Sequence, residues 1–380
     1  MSTVSSIPGT VHRRGLPIVR LSVAVAGVIA ALFAVDMSLE KTEQGELAAQ
    51  ALRADRNGES LLAQGRAPDA VDAFRKAHAL ERENVKYELD LIQALMAAGK
   101  LQEAQPLMTD ILEEQSNDGE ANLIAARLAA KEGHIVAADS YYHRAIYGGW
   151  PNNVAQHQIQ TRLELIEFLT QRGKQNEILA ELLPLQEQVA KNAGLQPEVA
   201  RLFLIAGSPG RAADVFHQLI RAQPKDFTNY AGLGEAELAL GDFRAAHNAF
   251  ANALARNSKN PTLKERLEFA NLLSNLDPTV RWLSAQDKYS RTVQILQMAS
   301  TDLTQCLTNH PQSGNDATTQ LLSKAQTALS SSPPKQQVNE VAESNLNLAQ
   351  QIWRTRVSAC GSGAAPDEEA LPLIMDKLAQ

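Results

Sequence analysis

The sequence predicts an all-α protein: a solenoid of stacked helical hairpins, entered through one membrane-spanning helix and closed by capping helices. Three observations carry that expectation. Ala, Leu, Gln, Glu and Arg dominate a chain of 380 residues, and these residues lose least on entering a helix. Glycines recur at Gly65, Gly99, Gly133, Gly173, Gly207 and Gly241, in steps of 34, 34, 40, 34 and 34; a near-constant step of that size marks a repeat array. Residues 16–35 read "LPIVRLSVAVAGVIAALFAV", an apolar run of about the length that spans a bilayer core. Alternating runs of Val, Ile and Thr are scarce, so few strands are expected.

The N-terminal segment comes first. Arg20 interrupts the apolar run one turn from its start, where a long cationic side chain can snorkel to the headgroups. His12, Arg13, Arg14 and Arg20 lie on its N-terminal side, and Asp36, Glu40, Lys41, Glu43 and Glu46 on the other. The positive-inside rule then puts residues 1–15 in the cytoplasm and everything after residue 36 outside it, in the periplasm of a bacterial cell, with a linker helix at 36–50. A cleaved signal peptide is the alternative. Its apolar core would be residues 21–35, at the upper length limit, and Leu32 spoils a small-x-small site ending at Ala34. Both readings export the rest of the chain.

The repeats follow. Five residues past each spaced glycine stand Ala70, Ala104, Ala138, Ile178, Ala212 and Ala246; nine past stand Phe74, Met108, Tyr142, Leu182, Phe216 and Phe250. Four before stand Leu61, Leu95, Ala129, Leu169 and Phe203, with Glu237 breaking the pattern in the sixth copy. Each unit thus reads as two helices and a tight turn. Glycine ends the first helix in a left-handed conformation, the small residue lets two backbones approach, and the large residue fills the space to the neighbour. One such hairpin cannot bury its own apolar face, so neighbours must stack.

This pattern resembles the tetratricopeptide repeat family. The resemblance covers about residues 51–260, in six units starting near 51, 85, 119, 159, 193 and 227, although no copy carries the family's Trp near the start of the first helix. A degenerate seventh unit is expected from Pro261, with Asn275 in place of the glycine. The resemblance implies a right-handed superhelix whose first helices line a concave groove for a protein or peptide partner. The groove residues it implies are Lys86, Leu89, Gln93, Arg127, Lys131, Leu163, Glu167, Arg201 and Glu235, flanked by Asp55, Glu59, Met96 and Leu238. The family's clamp for peptide carboxylates would need Lys and Asn where this chain has Asp55 and Glu59, so that specificity is not expected.

The 40-residue step hides six extra residues around "YGGWPNN" (147–153). The preferred reading is a loop whose Trp150 covers the adjoining core; an exposed anchor for a partner is the alternative. Beyond residue 278 the repeat step is lost. Helices are expected at 278–307, with Pro278 in the first turn, at 315–329 and at 335–357, and the apolar end "ALPLIMDKL" should dock. Together these would cap the last repeat. Cys306 and Cys360, the two cysteines, fall here. Outside the cytoplasm a disulfide between them is permitted; two buried thiols are the alternative.

No chemistry-bearing motif emerges. The eight histidines are scattered, and no metal-ligand cluster, nucleophile elbow, dinucleotide fingerprint or phosphate loop is present. No catalytic residue, cofactor site or metal site is expected. With net charge −7 and no basic block, a nucleic-acid partner is not expected either. The function expected is that of a membrane-tethered scaffold assisting secretion or envelope assembly. An accessory subunit of exopolysaccharide synthesis or export is the rival, and an enzyme built on the C-terminal helices a remoter one.

Overall fold

The computed structural model describes residues 16–190, 192–310, 312, 314–361 and 370–379, with most side chains before residue 41 left aside. Two compact units divide the chain, residues 1–162 and 163–380. Among the described residues the fold is all-helical, without strands. In the first unit, α1 (Leu16–Ala63) leads to α2 (Ala67–Leu80), α3 (Val85–Ala97), α4 (Leu101–Glu114), α5 (Gly119–Lys131) and α6 (Ile135–Tyr147). Helix α7 (Val154–Thr170) crosses into the second unit, which continues with α8 (Gln175–Gln188), α9 (Gln196–Ile205), α10 (Pro209–Ala222), α11 (Phe227–Ala239) and α12 (Phe243–Arg256). After these come α13 (Pro261–Leu276), α14 (Ala285–Asn309), α15 (Asp316–Ser330), α16 (Val338–Cys360) and α17 (Ala370–Ala379).

One backbone device closes all six hairpins. Each of the six spaced glycines has φ between +66° and +79°, the left-handed region in which a side chain is strained. In each copy the amide after the glycine donates to the carbonyl five residues back, as in Arg66 to Leu61 (2.9 Å), Lys100 to Leu95 (2.8 Å) and Ser208 to Phe203 (2.8 Å). That is the Schellman closure, which satisfies carbonyls the helix end leaves open. The small and large positions are buried as their spacing implies: Ala70, Ala104, Ala138, Ala212 and Ala246 are inaccessible, and so nearly are Phe74, Phe216 and Phe250. The rings need glycines opposite them. A Cβ at Gly232 would lie 2.2 Å from the Phe216 ring, and one at Gly234 2.6 Å from that of Phe250.

Helix α1 runs unbroken from Leu16 to Ala63, through the stretches read in sequence as apolar segment, linker and first repeat helix. Among the described residues no helix is long and apolar enough to cross a membrane; most side chains of the apolar stretch 16–35, and all of residues 1–15, lie outside that set.

The insertion belongs to the packing of the first unit. Gly119 N–H donates to Gly149 O, and Gly149 N–H to Asn117 O, both at 2.8 Å. The Trp150 indole lies where a side chain at residue 119 would be, its Nε1 donates to Ala145 O at 2.9 Å, and its ring stacks on His157 at 4.3 Å. Trp150 covers core and is not a free anchor.

The end of the second unit corrects one expectation. The helix expected from Pro278 starts instead at Ala285. Asp277 accepts from the Thr279 amide and hydroxyl (2.9 and 2.7 Å), holding a turn, and Ser284 caps the helix by accepting from Asp287 N. Beyond it, α14, α16 and α17 pack Ile295, Leu303, Ile352, Leu371, Ile374 and Met375 into one cluster with Leu238, Phe243 and Phe250 of the last hairpin. These helices therefore cover the apolar face that the final repeat would otherwise expose. Cys306 and Cys360 are joined by a disulfide, their Cα atoms 6.2 Å apart.

Candidate partner-binding faces

In the first unit α3 lies against both α1 and α5, so these first helices of three successive hairpins share a face. Lys86 stands on it among carboxylates. Its Nζ donates to Asp90 Oδ2 at 2.7 Å and to Asp55 Oδ2 at 3.0 Å, and pairs with Glu59 Oε1 at 3.5 Å. Asp55 is almost wholly buried, and its second oxygen, Oδ1, has no hydrogen-bond partner. Burial pulls the Lys86 pKa down, but the bonds and charges of Asp90 and Asp55 outweigh it and hold the ammonium above its usual range. Asp90 is pushed up to about 6, chiefly by burial; Lys86 opposes the shift and the Asp55 charge adds to it. Three carboxylates around one ammonium make this end of the face acidic. On α5, Arg127 is half-buried and Lys131 exposed.

Not every residue expected on the faces is there. Leu89 is 5% exposed and packs in the core with Ile92, Leu95 and Ile124, so it lines no groove; Met96 shares that core. Leu238 is likewise buried, in the core of the second unit. The α-helical period turns those positions inward. Gln93 is half-buried on α3. In the second unit, α9 touches α11. Leu163 is half-buried and Glu167 exposed on α7, and Arg201 is exposed on α9. Glu235 of α11 is engaged: Arg266 of α13 donates Nε to its Oε1 at 2.8 Å and a second, shorter bond from Nη2 to Oε2.

Sequence reasoning missed Asp90 and Arg266. A signal for Arg266 was present. Asp55 and Lys86 are 31 residues apart, and so are Glu235 and Arg266. Opposite charges three short of the 34-residue step meet across successive first helices.

These geometries define a helical-repeat protein with two sets of stacked hairpins, each offering a face of first helices, rather than a pocket built around reacting groups. Among the described residues no cluster of three or more His, Cys, Asp or Glu is placed to hold a metal ion. The tetratricopeptide repeat family model matches residues 61–128 and again 231–273. Both stretches therefore carry tetratricopeptide repeats, which typically serve as scaffolds for protein–protein interaction. Among solved structures, it is similar to a tetratricopeptide repeat protein from Parabacteroides merdae (17% identity, 59% of this chain and 99% of that one, TM-score 0.26). It is also similar to PilW, described as a type IV pilus biogenesis factor (16%, 57% and 98%, TM-score 0.39). A third is YrrB, described as having an unusual peptide-binding site (15%, 52% and 99%, TM-score 0.39). No curated protein matches the chain.

Proposed function

We propose that this protein is a non-enzymatic scaffold, tethered to the inner membrane by its N-terminal helix, that holds a protein or peptide segment on its first-helix faces. Its bulk lies on the periplasmic side, where it assists secretion or envelope assembly. The observation that carries the binding role is the fixed charge on the first face. Lys86 is paired with Asp55 and Glu59 of α1 and with Asp90 of α3. Polar groups held in place before a partner arrives lose little entropy on binding, which favours extended or helical peptides. The tether is supported by the apolar run 16–35, by the flanking charge bias, and by the exposure of Val28, Ile29, Leu32 and Val35.

Site-specific photo-crosslinking in cells tests the binding face. A crosslinker at Gln93 or Arg201 should yield a discrete adduct, and one at Lys76 or Arg221, exposed on second helices, should not. Equal labelling from both sides, or none from the first-helix positions, sinks the proposal.

A further inference from the structure

We propose that the edge of the second unit where the 278–284 loop meets the Gly241 turn is a separate docking site for an acidic peptide segment bearing a large apolar side chain. A cavity of about 670 Å³ opens there, lined by Arg244, Asp277, Arg281, Trp282 and Lys377 among others. Trp282 is 98% exposed and has φ +73°. A bulky residue in that region is a backbone outlier, and such strain persists only where the surroundings impose it.

The start of the loop is held by a bonded cluster. Asp277 is buried and ties four groups together. Its Oδ1 accepts from Thr279, as described, and its Oδ2 accepts from Lys377 Nζ at 2.7 Å. Its carbonyl accepts from Arg291 Nη1 at 2.6 Å, while Lys377 also donates to Gly241 O at 2.6 Å. The loop is thus anchored at Asp277, with Ser284 capping α14 at its other end, and the large apolar side chain it projects into solvent is an indole. An exposed Trp beside arginines is the composition enriched in binding hot spots.

Charge decides what the site would take. Lys377 is neutralised by Asp277. Asp242 caps α12, accepting from Ala245 N at 2.9 Å, and keeps its negative charge in the lining. Arg244 and Arg281 are exposed, and neither is paired with a carboxylate among the described residues. Arg244, Arg281 and Lys377 still outnumber Asp242 and Asp277 in the lining, a small local positive excess on a chain of net charge −7 that would steer an acidic segment to it. Trp282 would cover an apolar side chain of the same segment. The site sits on the second helix of the last hairpin and the loop beyond α13 and shares no residue with the first-helix faces, so it stands or falls independently of them.

Selection of random dodecapeptides displayed on phage against the full chain in detergent tests it, followed by fluorescence anisotropy of the enriched peptides. Enriched peptides should be acidic and contain an aromatic or long aliphatic residue. Their affinity should fall about tenfold or more in Trp282→Ala and in the Arg244→Gln/Arg281→Gln double variant. It should be unchanged in Lys86→Gln and Arg201→Gln. Trp282→Gly, which suits the positive φ, should lose binding equally and guards against an effect of misfolding. The proposal is overturned if no acidic peptide is enriched, or if binding survives both Trp282 variants. It is also overturned if Trp282 instead governs sedimentation with phosphatidylglycerol vesicles while no peptide binds.

Discussion

At the residue scale, glycines do two different jobs, and substitution separates them. Gly99 has φ +74° with nothing within 4 Å of where a Cβ would sit, so only its backbone resists replacement. Gly58→Ala would instead put a Cβ 2.7 Å from the ring of Phe74, which is itself 1% exposed and has nowhere to go. Gly99→Ala should cost about 1–2 kcal/mol, and Gly99→Asn, which tolerates the left-handed region better, should recover part of it. Gly58→Ala should cost about 1–3 kcal/mol through overpacking, and no polar residue should rescue it. Urea titration of the variants reads both as shifts in midpoint. The acidic cluster makes a second residue-scale prediction. Asp90 is raised from 3.8 to about 6 in the fold. A carboxyl raised on folding loses stability for the protein as pH climbs through that window, and the loss is complete above about 6. Lowering the pH from 7 towards 5 should therefore relieve a local penalty. A carboxyl-carbon NMR titration should place the Asp90 midpoint near 6. Asp55→Asn should lower that midpoint by removing a like charge, and Lys86→Gln should raise it. An Asp90 midpoint near 4, unmoved by either change, would refute the coupling.

At the element scale, α17 makes the capping argument measurable. Leu371, Ile374 and Met375 are buried in the cluster that also contains Phe243 and Phe250 of the last hairpin. Ile374→Ala should cost about 2–5 kcal/mol, the range for a truncated core aliphatic. The loss should appear in hydrogen exchange of α12 and α13 as well as of α17, because one cluster joins them. Loss confined to α17 would mean that it rides on the surface and caps nothing. The hairpins were legible in the sequence because spacing, turn glycine and apolar period all report on local geometry that each unit repeats. The start of α14 was not. Pro278 is compatible with a first helical turn, and only the side-chain bonds of Asp277 and Ser284 hand the start to Ala285. The faces were half legible. The groove residues implied by the resemblance straddle the boundary between inside and outside, so Arg201 came out exposed and Leu89 buried. Which carboxylate meets which cation, as Asp90 does Lys86 and Arg266 does Glu235, depends on how successive helices are offset. A residue list carries that offset only as an unremarked 31-residue spacing.

At the scale of the whole molecule, the proposed export and the disulfide bear on each other. Cys306 and Cys360 close a loop of sequence separation 54 within the second unit. In the chain-entropy account such a closure restricts the unfolded state by about 4 kcal/mol. The bond draws on groups already held together: beside it Arg356 pairs with Asp302 at 2.8 Å and donates to Gly361 O at 2.6 Å. A chain whose bulk stayed in a reducing cytoplasm would keep both thiols free, whereas export would let them oxidise. The compartment can therefore be read from the thiols of protein taken directly from cells. Cells are quenched in acid, the chain is dissolved in dodecyl sulfate to expose the buried Cys306, and a polyethylene-glycol maleimide is added with and without prior reduction. On the proposed topology, the unreduced sample shows no mass shift and the reduced sample shifts by two adducts. The oxidised protein should also lose stability in reductant, with the loss confined to α14–α17 and the hairpin they cover, because repeat arrays couple nearest neighbours and leave distant units unaffected. Two adducts without reduction would place the cysteines in a reducing compartment and overturn the export. The tetratricopeptide assignment, which rests on the hairpins alone, would stand.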